Sequence, residues 1–343
     1  MTRPETSMSR NARVATLLVV AAAVCFGTTG TAQALGAADA SALSLGAARI
    51  VFGGALLALV AVAVALRSRR AGQVDPFDPG APFDLGDPLD PGDPARTRTT
   101  PAHRIPSLAL VAVGAIGVAA YQPTFFTGTR ENGVAVGTLV ALGSAPVLTG
   151  LLEWGVRRRA PGLRWALATV VAAAGVAVLS GILSPGQPQS GSSGSVTALG
   201  LLGSLGAGAS YAVYALSSKL LLDRGWVPTA VMGATFGAAA LIMTPVLLTT
   251  NLTWLGERGG LASTAWLAVI TVALAYTLFA RGLRTLPASR TATLTLVEPL
   301  TATVLGVLLL GEQFTVAIVA GLLLLAAGIL ILTIDRQPPS ILK

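Results

Sequence analysis

The chain has 343 residues, of which 53% are hydrophobic and 11% charged, and its mean hydropathy is +0.73. That balance excludes an ordinary soluble domain of this length and fits a polytopic membrane protein. The formal net charge of +8 does not indicate nucleic acid, because the basic residues sit at the ends of apolar runs and form no basic aromatic face. One cysteine, Cys25, excludes an intramolecular disulfide, and the one histidine, His103, lies in a polar stretch. No metal site and no cofactor are expected from such a sequence.

Residues 1–13 form a polar N-terminal tail carrying Arg3, Arg10 and Arg13. The run that follows has the outline of a signal peptide, a basic end before an apolar core, but it also serves as the first of a series of spans and is expected to be retained. Apolar runs of about twenty residues, enough to cross a bilayer as a helix, recur near 14–36, 42–66, 107–129, 133–154 and 163–183. A second set follows near 196–220, 228–250, 262–284, 287–310 and 314–334. Between the second and third runs, residues 67–106 form a long loop; Asp75 to Pro94 alone holds six aspartates and six prolines. Such a stretch buries too little apolar surface to order itself and reads as a disordered cytoplasmic linker. Residues 184–195, rich in Pro, Gly, Gln and Ser, form an uncharged outer linker between the two sets, and 335–343 form a short tail.

Charge placement tests the count of ten. With the N-terminus in the cytoplasm and alternating spans, all of the 23 basic residues except Arg49, Arg130 and Arg258 fall on the cytoplasmic side, as the positive-inside rule requires. Both termini are then cytoplasmic, and nine or eleven spans would spoil the alternation. Five spans per half is an odd number, so the second half is inserted upside down relative to the first.

The stretch EPLTATVLGVLLLGE at 298–312, followed by a glycine-containing apolar helix, is the most specific feature of the chain. It has a partner in the first half. Pro146 to Gly175 aligns without a gap on Pro299 to Gly328, and Ala-Ala-Gly-Val at 173–176 matches Ala-Ala-Gly-Ile at 326–329. This pattern resembles the C-terminal signature of the drug/metabolite transporter superfamily, EamA type, over roughly residues 14–334. The resemblance implies an all-α fold of ten transmembrane helices as two inverted five-helix repeats, 14–183 and 196–334. It also implies a secondary transporter in the plasma (inner) membrane, not an enzyme, that exports small metabolites such as amino acids or related amphiphilic solutes by alternating access. Its partners would be a small-molecule substrate and the lipid bilayer, and a homodimer is allowed. The alternatives are an importer or exchanger of another small solute, and a non-transporting membrane scaffold or sensor. An integral-membrane enzyme would need a nucleophile, base or metal ligands gathered at one membrane face.

Within the spans, ionisable and polar side chains are the candidates for a substrate or proton pathway. Glu298 is an intramembrane acid, costly unless it faces protein or a water-filled cavity. It could bind a substrate amine, carry a proton, or merely cap a helix break; its repeat partner is Ala145. Arg49 resembles an arginine common near the start of the family's second helix. Snorkelling to the interface is the favoured reading, and binding of an anionic group the other. Thr28, Thr29 and Gln33 in the first run, Tyr121, Gln122 and Phe125 in the third, Tyr211 and Tyr214 in the sixth and Tyr276 in the eighth supply hydroxyls, an amide and rings. They suit a small amphiphilic solute, and equally suit interhelical hydrogen bonding. Pro123, Pro146 and Pro299 are expected to kink or break their helices. Glu153, four residues before Arg157, reads as half of a surface ion pair.

Overall fold

A computed structural model describes residues 5–70, 105–158, 160–179, 197–311 and 315–333. All regular structure among them is helical. The first half contains α1 (Glu5–Gly27), α2 (Thr29–Gly36), α3 (Ala42–Arg70), α4 (Ser107–Arg157) and α5 (Leu163–Leu179). The second contains α6 (Ala198–Asp223), α7 (Pro228–Leu248), α8 (Arg258–Trp266), a π-helical stretch Leu267–Leu274, α9 (Ala275–Thr285), α10 (Ala288–Leu294), α11 (Val297–Leu310) and α12 (Val316–Thr333). Among the described residues, nine helical segments are long and apolar enough to cross a membrane, and the tenth, Leu163–Leu179, is apolar but shorter. They follow the ten expected runs in order.

Local chemistry explains most of the boundaries. The third and fourth runs join in the single long α4, which turns at Gly133 with φ 79° and ψ 157°, a conformation open to glycine and strained for other residues. Thr197 caps α6 by accepting from the backbone N–H of Gly200 at 3.1 Å, and Pro228 opens α7 at a position where its missing donor costs nothing. Gly311, at φ 72°, closes α11 in the left-handed conformation.

Several expectations are corrected. The polar stretch 1–13 is helical from Glu5 onward, so the first helix begins before its apolar core. Pro123 and Pro146 lie inside α4 without interrupting helical dihedrals; the one break in that helix is Gly133. The first run, read as continuous, is broken at Thr28, and the ninth is interrupted at Thr295 and Leu296, a few residues ahead of Pro299, where the break is expected. Most of the Asp/Pro loop, the 184–195 linker, the 335–343 tail and Glu312 lie outside the described residues, while 67–70 continue α3.

The helices pack as two exchanged halves. α3 lies against α7 and α5 against α12, so the second and fifth spans each meet their own repeat equivalent. α1 packs on α9, while the first half of α4 packs on α6, and exchange of the two halves turns one pair into the other. The α5–α12 crossing is built on the two matched glycines. A Cβ on Gly175 would lie 2.6 Å from the Leu325 nitrogen, and one on Gly328 would lie 2.7 Å from the Ala172 nitrogen. Small residues allow this approach, and alanines such as Ala22, Ala47, Ala115, Ala207 and Ala212 fill the buried core. Large side chains such as Phe236, Phe279, Ile50 and Met232 are buried with them, while others point outward, Leu163 and Val316 at 85% and 86% exposed, as expected of surfaces that face lipid tails.

A charged and aromatic cavity between the two halves

Three interrupted helices surround a central cavity. Between α10 and α11, Thr295 and Leu296 leave the helix and tighten into shorter bonds: Leu296 N–H donates to Thr293 O at 3.2 Å, and Glu298 N–H to Thr295 O at 2.9 Å. α11 therefore starts at Val297, which puts Glu298 in its first turn, where free backbone donors favour a carboxylate. Pro299 follows in the same turn, so its missing N–H breaks no helical bond. The break between α1 and α2 at Thr28 packs against this point. A Cβ on Gly27 would lie 2.6 Å from Thr301 Cβ and 2.7 Å from Glu298 O. The third interruption is the π-helical stretch, whose Leu267 reaches the cavity; wide turns of this kind recur at functional sites.

The cavity has a volume of about 730 Å³ and is lined by Thr29, Gln33, Arg49, Tyr121, Gln122, Phe125 and Glu298, with Pro299, Thr138 and Thr303. It narrows into a recess of about 60 Å³, where Tyr211, Tyr214, Tyr276, Phe26 and Thr295 join Arg49, Tyr121, Gln122 and Glu298. Arg49 donates to Thr29 Oγ1 at 3.5 Å, and its Nε is buried without a hydrogen-bond partner among the described residues. Neither Arg49 nor Glu298 takes part in an ion pair among those residues. A cation and an acid thus border one space without neutralising each other directly. Aromatic rings close the floor: Tyr276 lies 4.1 Å from Phe236, 4.8 Å from Phe26 and 5.9 Å from Tyr214, centroid to centroid. Tyr121 stacks on Phe125 at 5.7 Å. Tyr211 donates to Thr295 Oγ1 at 3.2 Å, since the Thr295 hydroxyl is itself spent on Ala292 O.

The wide part of the cavity is bordered by Gln33 near the end of α2, Ala42 at the start of α3 and Leu179 at the last described turn of α5. It therefore opens away from the basic ends that carry Arg157, Arg164, Lys219 and Arg224. Toward those basic ends, polar ties bind the halves together. Trp165 Nε1 donates to Ser289 O at 3.1 Å, Thr169 and Thr293 hydroxyls meet at 2.9 Å, and Arg164 Nε donates to Ile331 O at 2.7 Å.

Two stretches of the sequence, 13–181 and 198–334, each match the EamA-like transporter family. The chain belongs to that family. A Bacillus subtilis (strain 168) protein named as the uncharacterized transporter YwfM is 34% identical over 317 residues, 92% of this chain and 93% of its own. The uncharacterized inner membrane transporter YicL of Salmonella typhimurium is 24% identical over 235 residues, 68% of this chain and 76% of its own. A crystal structure at 19% identity superposes with a TM-score of 0.67, covering 93% of this chain and 96% of that one, which shows a shared fold alone. This EamA-like protein is accordingly a multi-pass membrane transporter, all-α, with two five-helix repeats.

Of the polar and aromatic residues singled out in the sequence, the EamA-like fold brings ten to the cavity or its recess. Thr28 is set apart. It donates to Cys25 O at 2.7 Å and accepts from Trp266 Nε1 at 3.0 Å, in an apolar groove of about 430 Å³ between α2, α8 and α11. Arg49 stands half-buried in the cavity wall. Sequence reasoning missed Thr295 and Phe26: neither carries a charge or pattern that separates it from its neighbours, and only the Glu298 break next to Thr295 pointed there. Glu153, read as half of a surface ion pair, is 5% exposed and accepts from the backbone of Ala288 and Ser289. Among the described residues no three of His, Cys, Asp and Glu gather as metal ligands would.

Proposed function

We propose that this protein is an alternating-access exporter of small zwitterionic amphiphiles, amino acids and their relatives, in the plasma (inner) membrane with both termini in the cytoplasm. The observation that carries the reading is the pairing of Arg49 and Glu298 on one cavity wall without a direct ion pair between them. Each charge is costly in a membrane, and a solute bearing a carboxylate and an amine would compensate both. The carboxylate would take the guanidinium, whose forked donors suit it, and the amine would take Glu298. Rings of Tyr121, Phe125 and Tyr276 offer apolar contact to the side chain, and Gln122 and the tyrosine hydroxyls offer orienting bonds. With a single cation in the wall, polyanionic solutes such as sugar phosphates fit poorly. In this reading the structure is the state open to the outside, and rocking of the halves about the α5–α12 and α3–α7 contacts gives the inward state.

The test is an efflux panel. Cells producing the protein or its Glu298→Gln form are challenged with amino acids, amino-acid analogues and lipophilic cations while intracellular levels are followed. Protection against zwitterions by the parent, and its loss in Glu298→Gln at equal membrane abundance, is the expected outcome. Protection against cations alone, or against nothing, would reject the zwitterion reading.

A further inference from the structure

The turn that joins α9 to α10 is gripped from two sides at the basic face. Glu153 on α4, 5% exposed, accepts from the backbone of Ala288 through Oε1 at 3.1 Å and of Ser289 through Oε2 at 2.9 Å. Lys219 on α6, also 5% exposed, donates to the carbonyl of Arg284 at 2.9 Å, just before the turn. Two surface groups link these grips: Lys219 Nζ lies 3.1 Å from Asp223, Arg157 pairs with Asp223, and Arg157 Nε lies 3.5 Å from Glu153. Glu153 and Arg157 belong to the first half, and the other groups to the second. A buried carboxylate holding two backbone donors is a strong tie, and losing it leaves those donors unsatisfied. The turn it holds leads directly into α10 and α11, the broken pair that presents Glu298.

The register that sets Pro146 on Pro299 sets Glu153 on Gly306 and Arg157 on Leu310. Among the described residues, α11 therefore offers the α4 turn at Gly133 no carboxylate of this kind; the cross-half ties on the opposite face are those of Asn132 with Thr197, which holds α4 to α6, and of Ser44 with Trp254. The geometry points to Glu153 as a positioning residue for transport, a latch on the basic face between α4 and the α9–α10 turn, which biases the resting protein toward the state open on the other side. This rests on the alternating-access reading above, and labelling tests it separately from transport.

The experiment uses the full-length protein in detergent with Cys25→Ser and one reporter cysteine. Thr169→Cys reports the basic face, where Thr169 is 2% exposed, and Ala302→Cys reports the wide cavity. With a polar maleimide, Glu153→Gln is expected to speed labelling at position 169 about tenfold, the change that one charge-assisted hydrogen bond supports, with no gain at position 302. Arg157→Gln is expected to act in the same direction by a smaller factor, and carries the test if Glu153→Gln does not purify as a folded protein. Unchanged labelling at 169 in the folded variants overturns the latch and leaves the transport reading to the efflux panel. Faster labelling at both positions also overturns it, because that reports general loosening.

Discussion

Glu298 and Arg49 border one cavity, and the residues around them can be tested one by one. Tyr211 is the most testable neighbour, because its hydroxyl has one defined partner, Thr295, at the helix break. Tyr211→Phe keeps the ring and removes that bond, so transport is expected to fall by about fivefold, in line with a net bond of about 1 kcal/mol, while thermal stability in detergent stays within a few degrees. Gly27 tests the packing of the two breaks. Its replacement by Ala drives a methyl group into Thr301 and the Glu298 carbonyl, and destabilisation of about 1–3 kcal/mol is expected from overpacking, read as a lower melting temperature. At this scale the sequence was legible wherever an isolated polar group in an apolar run raised the question of its partner, as with Glu298, Arg49 and the tyrosines. It was not legible where the partner lies far along the chain. Glu153 reads as a surface ion pair because Arg157 is four residues away, whereas its stronger bonds run to residues 288 and 289.

Elements were legible as apolar runs, and their interruptions only in part. Hydropathy hardly changes across Thr28 or across Thr295 and Leu296, so nothing in composition separates a straight span from a broken one. The proline signal was real but misplaced by a few residues: the break precedes Pro299, and Pro123 and Pro146 leave helical dihedrals intact. Gly133, by contrast, turns the chain where the short polar stretch 130–133 suggested. Pro299→Ala restores a donor that could bond Thr295 O and knit α10 to α11 as one helix. A gain in melting temperature with a several-fold slower transport rate is expected, by comparison of thermal unfolding with solute flux in vesicles. Equal rates would show that the break is held by other contacts.

At the scale of the whole molecule, the exchange symmetry of the packing follows from the match of Pro146–Gly175 on Pro299–Gly328. The crossing of α5 and α12 is its clearest expression. Gly328→Leu is expected to abolish correct assembly, seen as loss of a monodisperse peak at equal expression, because the clash is with backbone and cannot be relieved by a side-chain rotation. Orientation in the bilayer is set by the distribution of Lys and Arg. Fusions at the C-terminus are expected to give a fluorescent cytoplasmic reporter and an inactive secreted phosphatase; the reverse would place the termini outside. The three-dimensional route from five-helix halves to a shared cavity was not legible in one sequence, since it depends on which faces of uniformly apolar helices meet.

The tie at Glu153 has a consequence for any flux measurement. Around a complete cycle its free energy is spent and recovered, so it cannot drive net movement of a solute, and detailed balance leaves the direction to the gradients. What it sets is the fraction of time each face is available, and apparent affinity is diluted by that fraction. A ligand that binds without being transported is therefore held more weakly when presented from the face that is usually shut. If the solute moves only down its own gradient, the ratio of maximal rate to half-saturation must still be the same from both sides.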